Sequence, residues 1–419
     1  NNTLIINKEI GSILKIRSNE YLLISKHNEY FVMKMDTISP FKINFPTQLN
    51  NIYINQAKRI NQNNILLSTS SDGSYIIDLQ GNIIQHIAKF EGLQNNNIIS
   101  NYIDKNNNFW LGLNNGISFI GYNHAFKLIQ PKINNELTCY AINILDQHIY
   151  IASSDGLFYS PITKNITDYS FIKNNFNFLQ QSFGINWGIQ QINNKLLVGS
   201  NNGAYTIKDK NIAYIDNSIG YWLFKPLSNI FPAQYVIGGT YNGLTIFEYK
   251  NNQFTLKNKV VGIKESLRYV EIDNNNTIWA SHPYRGIYQI QLNNNYTSCS
   301  YKLYNKLSGL PSNYGNYVFK IQQKIYFATI HGVYEYDYKK DTIIYSNYFN
   351  ALLGNQEIRY LKEDSWGNIW FCAGKKLGIL KKSTNAFTLT YFPELTRNYL
   401  AGFESIYIEN YQNIFISSE

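Results

Sequence analysis

Apolar positions along this chain fall in short runs. Each run closes on a small residue and a polar turn ending in glycine, after which a second apolar or aromatic run begins. Ile65-Leu66-Leu67-Ser68-Thr69 before Gly73, Leu196-Leu197-Val198-Gly199-Ser200 before Gly203 and Ile325-Tyr326-Phe327-Ala328-Thr329 before Gly332 show the pattern. The turn glycines of the full set are Gly73, Gly116, Gly156, Gly203, Gly243, Gly286, Gly332 and Gly378, at intervals of 40 to 47 residues. Runs this short, rich in β-branched and aromatic residues and bounded by turn formers, predict strands. A glycine at the turn supplies the positive φ that a tight hairpin needs. Self-similarity at a fixed period of this size marks a repeat architecture.

Two weaker copies flank these eight. Tyr21-Leu22-Leu23-Ile24-Ser25 lacks its turn glycine, and Ile414-Phe415-Ile416-Ser417-Ser418 stops before its turn. Each unit also carries a preceding strand and polar turn, as in Val270-Glu271-Ile272-Asp273 or Leu361-Lys362-Glu363-Asp364, and a variable outer strand such as 342–345. Four short antiparallel strands every ~44 residues describe a β-propeller blade. No stretch has a helical period. The expectation is an all-β fold, a β-propeller of four-stranded blades.

About ten units exceed the usual four to eight blades of one ring. The preferred division makes 1–125 the C-terminal blades of a first, truncated propeller. Residues 126–419 then form a second, seven-bladed propeller cut in its last blade, and a single ring of nine or ten blades is the alternative. With strands A to D numbered outward from the channel, the D–A and B–C loops share one face. The glycine turns are B–C loops, so they open beside the D–A segments at 262–268, 309–313 and 354–359.

Composition removes several function classes. The chain has 419 residues, 16% charged and 16% aromatic, with 35 Tyr and 24 Phe, which excludes a disordered chain. The formal charge is +9, yet only six basic residues are Arg (17, 59, 268, 285, 359 and 397) and the lysines are scattered. A phosphate-backbone face needs clustered cations, so no nucleic acid is expected to bind this segment. No apolar run reaches the ~18 residues of a membrane span. Three distant cysteines imply no disulfide framework. No phosphate loop, nucleophile elbow or zinc-binding His pair occurs, so no catalytic residue, cofactor or metal is expected. Asp104-Lys105-Asn106-Asn107-Asn108 is similar to a calcium loop, but it lacks the loop glycine and has Asn115 where a bidentate Glu belongs. It reads as a polar hairpin turn. The opening at Asn1 and the stop at Glu419 read as a piece cut from a longer chain.

Gly92-Leu93-Gln94-Asn95-Asn96, Gly309-Leu310-Pro311-Ser312-Asn313 and Glu363-Asp364-Ser365-Trp366-Gly367-Asn368-Ile369-Trp370-Phe371 resemble the two-component regulator propeller repeat. That repeat runs G-L-x-x-N, strand, D-x-x-G-N, I-W-x-G-T and G-L. Cys372-Ala373 in place of Gly-Thr, and Asn106 to Asn108 in place of a Gly-Asn turn, depart from it. The resemblance covers essentially the whole chain. It implies a periplasmic sensor region of an inner-membrane protein, commonly built from two seven-bladed propellers and acting as a homodimer. Contact with the membrane would come only through C-terminal segments beyond this chain. The implied output is a histidine kinase or a LuxR-type helix-turn-helix, and Asn114-Asn115-Gly116-Ile117 with His282-Pro283-Tyr284-Arg285-Gly286 looks most like the LuxR-type branch.

Trp110, Trp279 and Trp370 occupy equivalent B-strand positions and read as packing between blades. Departures from the repeat mark the candidate ligand site, because packing does not require them. Trp187 and Trp222 lie at or just after D–A segments, and Arg268 and Arg359 begin A strands at the channel mouth. His282, Tyr284 and Arg285 enlarge one B–C loop, with Tyr241 and His331 in the loops on either side. Arg forks suit carboxylate or sulfate and aromatic rings suit sugar faces, so this set predicts a small-molecule or oligosaccharide ligand. The competing classes are a propeller lyase or glycosidase, for which Glu265, Glu357 and Glu404 would be the convergent carboxylates, and a protein-docking platform.

Overall fold

The computed structural model describes residues 2–41, 52–122, 126–131, 137–162, 168–169, 176–208, 210–384, 386–395 and 403–417. The chain forms two compact units, Asn1–Asn134 with Tyr169–Asn174, and Asn135–Asp168 with Asn175–Glu419. Both are built from antiparallel sheets in which sequential strands are neighbours. The first unit holds two four-stranded sheets that begin at Ile10–Arg17 and Ile54–Arg59, and a three-stranded sheet that begins at Ile98–Ile103. The all-β reading is correct with one exception. A short helix, Asn347–Leu353, lies between two sheets and seats Phe349 and Leu353 in the core.

The second unit holds six four-stranded sheets and a two-stranded one. We call them blades 1 to 7. Their innermost strands are Cys139–Leu145, Asn186–Ile192, Tyr221–Pro226, Tyr269–Ile272, Tyr317–Ile321, Ile358–Glu363 and Ser405–Ile408. Each inner strand packs beside the next through blade 6. Blades 6 and 7 are joined by the Ile406 amide, which donates to the Tyr360 hydroxyl at 3.2 Å. The strand of blade 7 in turn packs on that of blade 1, so the seven close into a ring.

The hydrophobic core lies between blades. Phe224, Val236 and Phe247 pack with Leu197 and Ala204 between blades 2 and 3, and Trp279, Ile287 and Tyr304 pack with Val318 and Phe327 between blades 4 and 5. A B strand is therefore covered on both faces. Lys195–Ser200 and Tyr235–Thr240 are buried at every position after the first, which explains their unbroken apolar runs. Burial of each large side chain contributes roughly 1.5–3 kcal/mol. Outer strands such as Asn211–Asp216 face solvent and vary accordingly.

The small residue that closes each B strand is a turn device. The hydroxyls of Thr69, Ser153, Ser200, Thr240 and Thr329 each donate to the carbonyl of the glycine across the B–C turn, at 2.8–3.0 Å. One of the predicted turn glycines is misplaced. Ala373 pairs with Lys376, so Gly374, at φ +53°, occupies the turn and Gly378 sits inside the following strand. There it leaves room for the Phe371 ring, which a Cβ would meet at 2.3 Å.

Candidate functional site

An inner strand has one unpaired edge. In blades 1, 2, 3 and 6 the ladder slips by one residue near the strand start, leaving Tyr140, Trp187, Trp222 and Arg359 as the inserted residues. A bulge of this kind bends the strand and re-aims one side chain. The consequence is an aromatic cluster at one end of the channel. Ring centroids of Trp187 lie 4.8 Å from Tyr140, 4.7 Å from Trp222 and 5.4 Å from Phe403, the last pair stacked. The Trp187 indole donates to the Tyr241 hydroxyl at 2.5 Å, and the Trp222 indole donates to the Ser266 hydroxyl at 3.1 Å. Burial raises the Tyr241 phenol above its ordinary pKa, so it stays protonated.

Arg268 completes this mouth. Its guanidinium carbon lies 3.5 Å from the Phe403 ring centroid and 5.8 Å from that of Trp222. It has no carboxylate partner among the described residues. Behind the mouth opens a cavity of about 930 Å³, lined by residues from all seven inner strands. Trp187, Trp222 and Arg268 line it, together with Tyr140, Tyr269 and Phe403.

The predicted set is thus divided. Trp187, Trp222, Tyr241 and Arg268 come together. His282, Tyr284 and Arg285 gather instead around Glu265, whose carboxylate meets the Arg285 guanidinium at 2.5 Å and His282 Nε2 at 3.6 Å. Burial holds the His282 imidazole below its usual pKa despite Glu265, and Tyr284 is largely exposed. His331 stands exposed in its own turn. Arg359 is turned into an ion pair with buried Glu404. Two of the three carboxylates considered for a glycosidase, Glu265 and Glu404, are therefore engaged with arginine.

Sequence reasoning missed Tyr140, Tyr269 and Phe403. Tyr140 was legible in principle, since it follows Cys139 as Trp187 follows Asn186. Phe403 was not, because it precedes its strand and reaches the mouth only through ring closure. Of the three tryptophans read as packing, Trp279 and Trp370 are buried, and their indoles donate to Asp273 and Asp364 of their own A–B turns at 3.0 and 3.2 Å. Trp110 is a correction. It is 45% exposed and packs on Phe119 of its own sheet. The calcium-like string is a hairpin turn whose Asp104 carboxylate accepts from the Asn106 and Asn108 amides at 2.8 and 2.9 Å.

No protein-family model matches the sequence, and no curated protein matches it. Among solved structures, the chain is similar to the extracellular domain of the putative hybrid two component system BT3049 from B. thetaiotaomicron. The TM-score is 0.59 at 15% identity, over 98% of this chain and 60% of that one. A second match is the extracellular domain of the putative hybrid two component system BT4673 from the same organism, with a TM-score of 0.48 at 15% identity, over 91% and 54%. Virginiamycin B lyase from Staphylococcus aureus follows with a TM-score of 0.46 at 13% identity, over 68% and 93%. The chain thus spans about 60% of the length of the BT3049 domain. Its fold is the all-β propeller fold of that two-component extracellular domain.

Proposed function

We propose that this chain is a non-catalytic, extracytoplasmic ligand-sensing region of a bacterial signal-transduction or transcription regulator, periplasmic and acting with a second copy of itself. The mouth of the ring in the second unit is its ligand site. One observation carries the reading. Four aromatic rings, from Tyr140, Trp187, Trp222 and Phe403, and an arginine with no carboxylate partner among the described residues converge on an open cavity. Indole faces suit the apolar face of a sugar, and the Arg268 fork suits a carboxylate or sulfate on it. A fold shared with an extracellular sensor domain supports the same assignment. The three sheets of the first unit are blades of a separate propeller in this reading. Trp110, in the place of Trp279 and Trp370, lies on a blade face that no neighbouring blade covers among the described residues.

The test is calorimetric titration with a panel of acidic and neutral oligosaccharides. Trp187→Ala and Arg268→Ala are each expected to weaken the binding partner at least about tenfold, since a charge-assisted hydrogen bond or a stacked ring is worth about 1.5–3 kcal/mol. Binding that ignores both substitutions, or turnover of any sugar, would overturn the proposal.

A further inference from the structure

We propose that the interior of the same channel is a binding site for a compact oxyanion, sulfate or phosphate, free or as an ester, held by Lys225, Lys320 and Lys362. The argument begins with register. One residue in each inner strand lies opposite the same position of its B strand. Asn143 pairs with Tyr150, Gln190 with Leu197, Lys225 with Ile237, Glu271 with Trp279, Lys362 with Trp370 and Tyr407 with Phe415. Six of the seven blades thus place a polar side chain at one level of the cavity, where a buried channel needs none for packing. Only blade 5 has an apolar residue there, Phe319 opposite Tyr326, and its next residue is Lys320.

Two of the three lysines here have no carboxylate partner among the described residues. The lining carboxylates are all engaged. Glu271 pairs with Lys225 at 2.7 Å, Glu363 accepts from the Gln322 amide at 2.6 Å, Glu404 holds Arg359, and Asp364 holds the amides of its own turn. Lys320 and Lys362 face none of them. The ammonium of Lys320 donates to the Ile272 carbonyl at 3.0 Å, and that of Lys362 donates to the Ile406 carbonyl. Each ammonium has three donors, so two remain on each.

Neutral donors stand beside them. Gln190 uses its carbonyl to accept from the Phe224 amide at 3.1 Å, which leaves its NH₂. Asn143 is 7% exposed, and its side-chain Oδ1 has no partner. An amide reverses by a half-turn, so that orphaned position offers an N–H as readily as a carbonyl. Orphaned buried polar groups and half-buried cations without a carboxylate are both costly, and an anion between them would satisfy both. Burial, and then Lys225, lower the Lys362 pKa to about 8, the direction that such a cost requires.

This site does not depend on the reading of the mouth, and the test separates them. The whole chain is titrated calorimetrically with sodium sulfate, sodium phosphate, galactose 6-sulfate and galactose at constant ionic strength. One saturable sulfate or phosphate site is expected, weakened at least about tenfold by Lys362→Gln and by Lys320→Gln. Lys320→Gln, at a half-buried position, reads the same site independently of any change that Lys362→Gln makes to stability. Tighter binding of the sulfated sugar than of sulfate would identify an ester as the source, and equal binding the free ion. Absence of a saturable oxyanion site, or a site untouched by both lysine substitutions, would overturn the proposal. If sulfated sugar then still responded to Trp187→Ala, the mouth alone would be the site.

Discussion

Lys362 is the residue at which stability and function oppose each other. Its amine titrates at about 8 in the folded chain, against an ordinary value of 10.5. Between those values the unfolded chain holds the proton and the folded chain does not. Stability therefore rises with pH across that window, and below it the buried ammonium exerts its full destabilising effect. Lys362→Gln is expected to be more stable than the parent at about pH 7, with most of the gap gone by about pH 10, as read from urea unfolding at both values. A gap that does not change with pH would assign the effect to packing. Arg268 and Arg359 illustrate the other residue-scale lesson. Both were predicted as equivalent mouth cations, yet Glu404 occupies Arg359, while Arg268 lies against Phe403 and other rings with no carboxylate among the described residues. Nothing in the spacing of the arginines distinguishes them.

At the scale of the element, the motif residues prove to be backbone devices. In Lys306–Ser308, a turn of 3₁₀-helix ends on Gly309 at φ +100°, Leu310 is buried, and Asn313 accepts from the Lys306 amide at 3.0 Å. Gly92, Leu93 and Asn96 repeat this arrangement after Lys89–Glu91, with Asn96 accepting from the Lys89 amide at 2.6 Å. The G-L-x-x-N string thus encodes a capped D–A turn. Gly309→Ala places a Cβ 2.0 Å from the Ile343 carbonyl in a backbone region that side chains avoid. It is expected to cost about 1–3 kcal/mol in thermal or denaturant unfolding without altering oxyanion affinity. These elements were legible because each is local, with donor and acceptor within a few residues of one another. The bulges that re-aim Tyr140, Trp187 and Trp222 were not, since a slip in a ladder belongs to the pairing of two strands.

At the scale of the whole molecule, closure is what makes a site. Seven inner strands each expose one edge, and only a ring turns those edges toward one cavity. Unit 1 shows the contrasting case of a sheet with one face bare among the described residues. Tyr102, Trp110 and Phe119, which are paired across three strands, are 58%, 45% and 49% exposed, with Ile117 at 67%. An aromatic patch of this kind favours association. Sedimentation of the chain is expected to depend on concentration, and Trp110→Ser with Phe119→Ser to reduce that dependence. Concentration-independent sedimentation of the parent would show that this face does not drive association.

The sequence by itself determined the blade, its four strands, its turns and its polar A–B hairpins. Those features rest on alternation, propensity and hydrogen bonds between near neighbours, which a repeat displays many times over. Tertiary structure alone decided which cations remained unpaired, where Phe403 reached, and that polar residues some 45 positions apart met at one level of a channel. Those outcomes depend on strand register and ring closure, and no local pattern of apolar and polar residues records either.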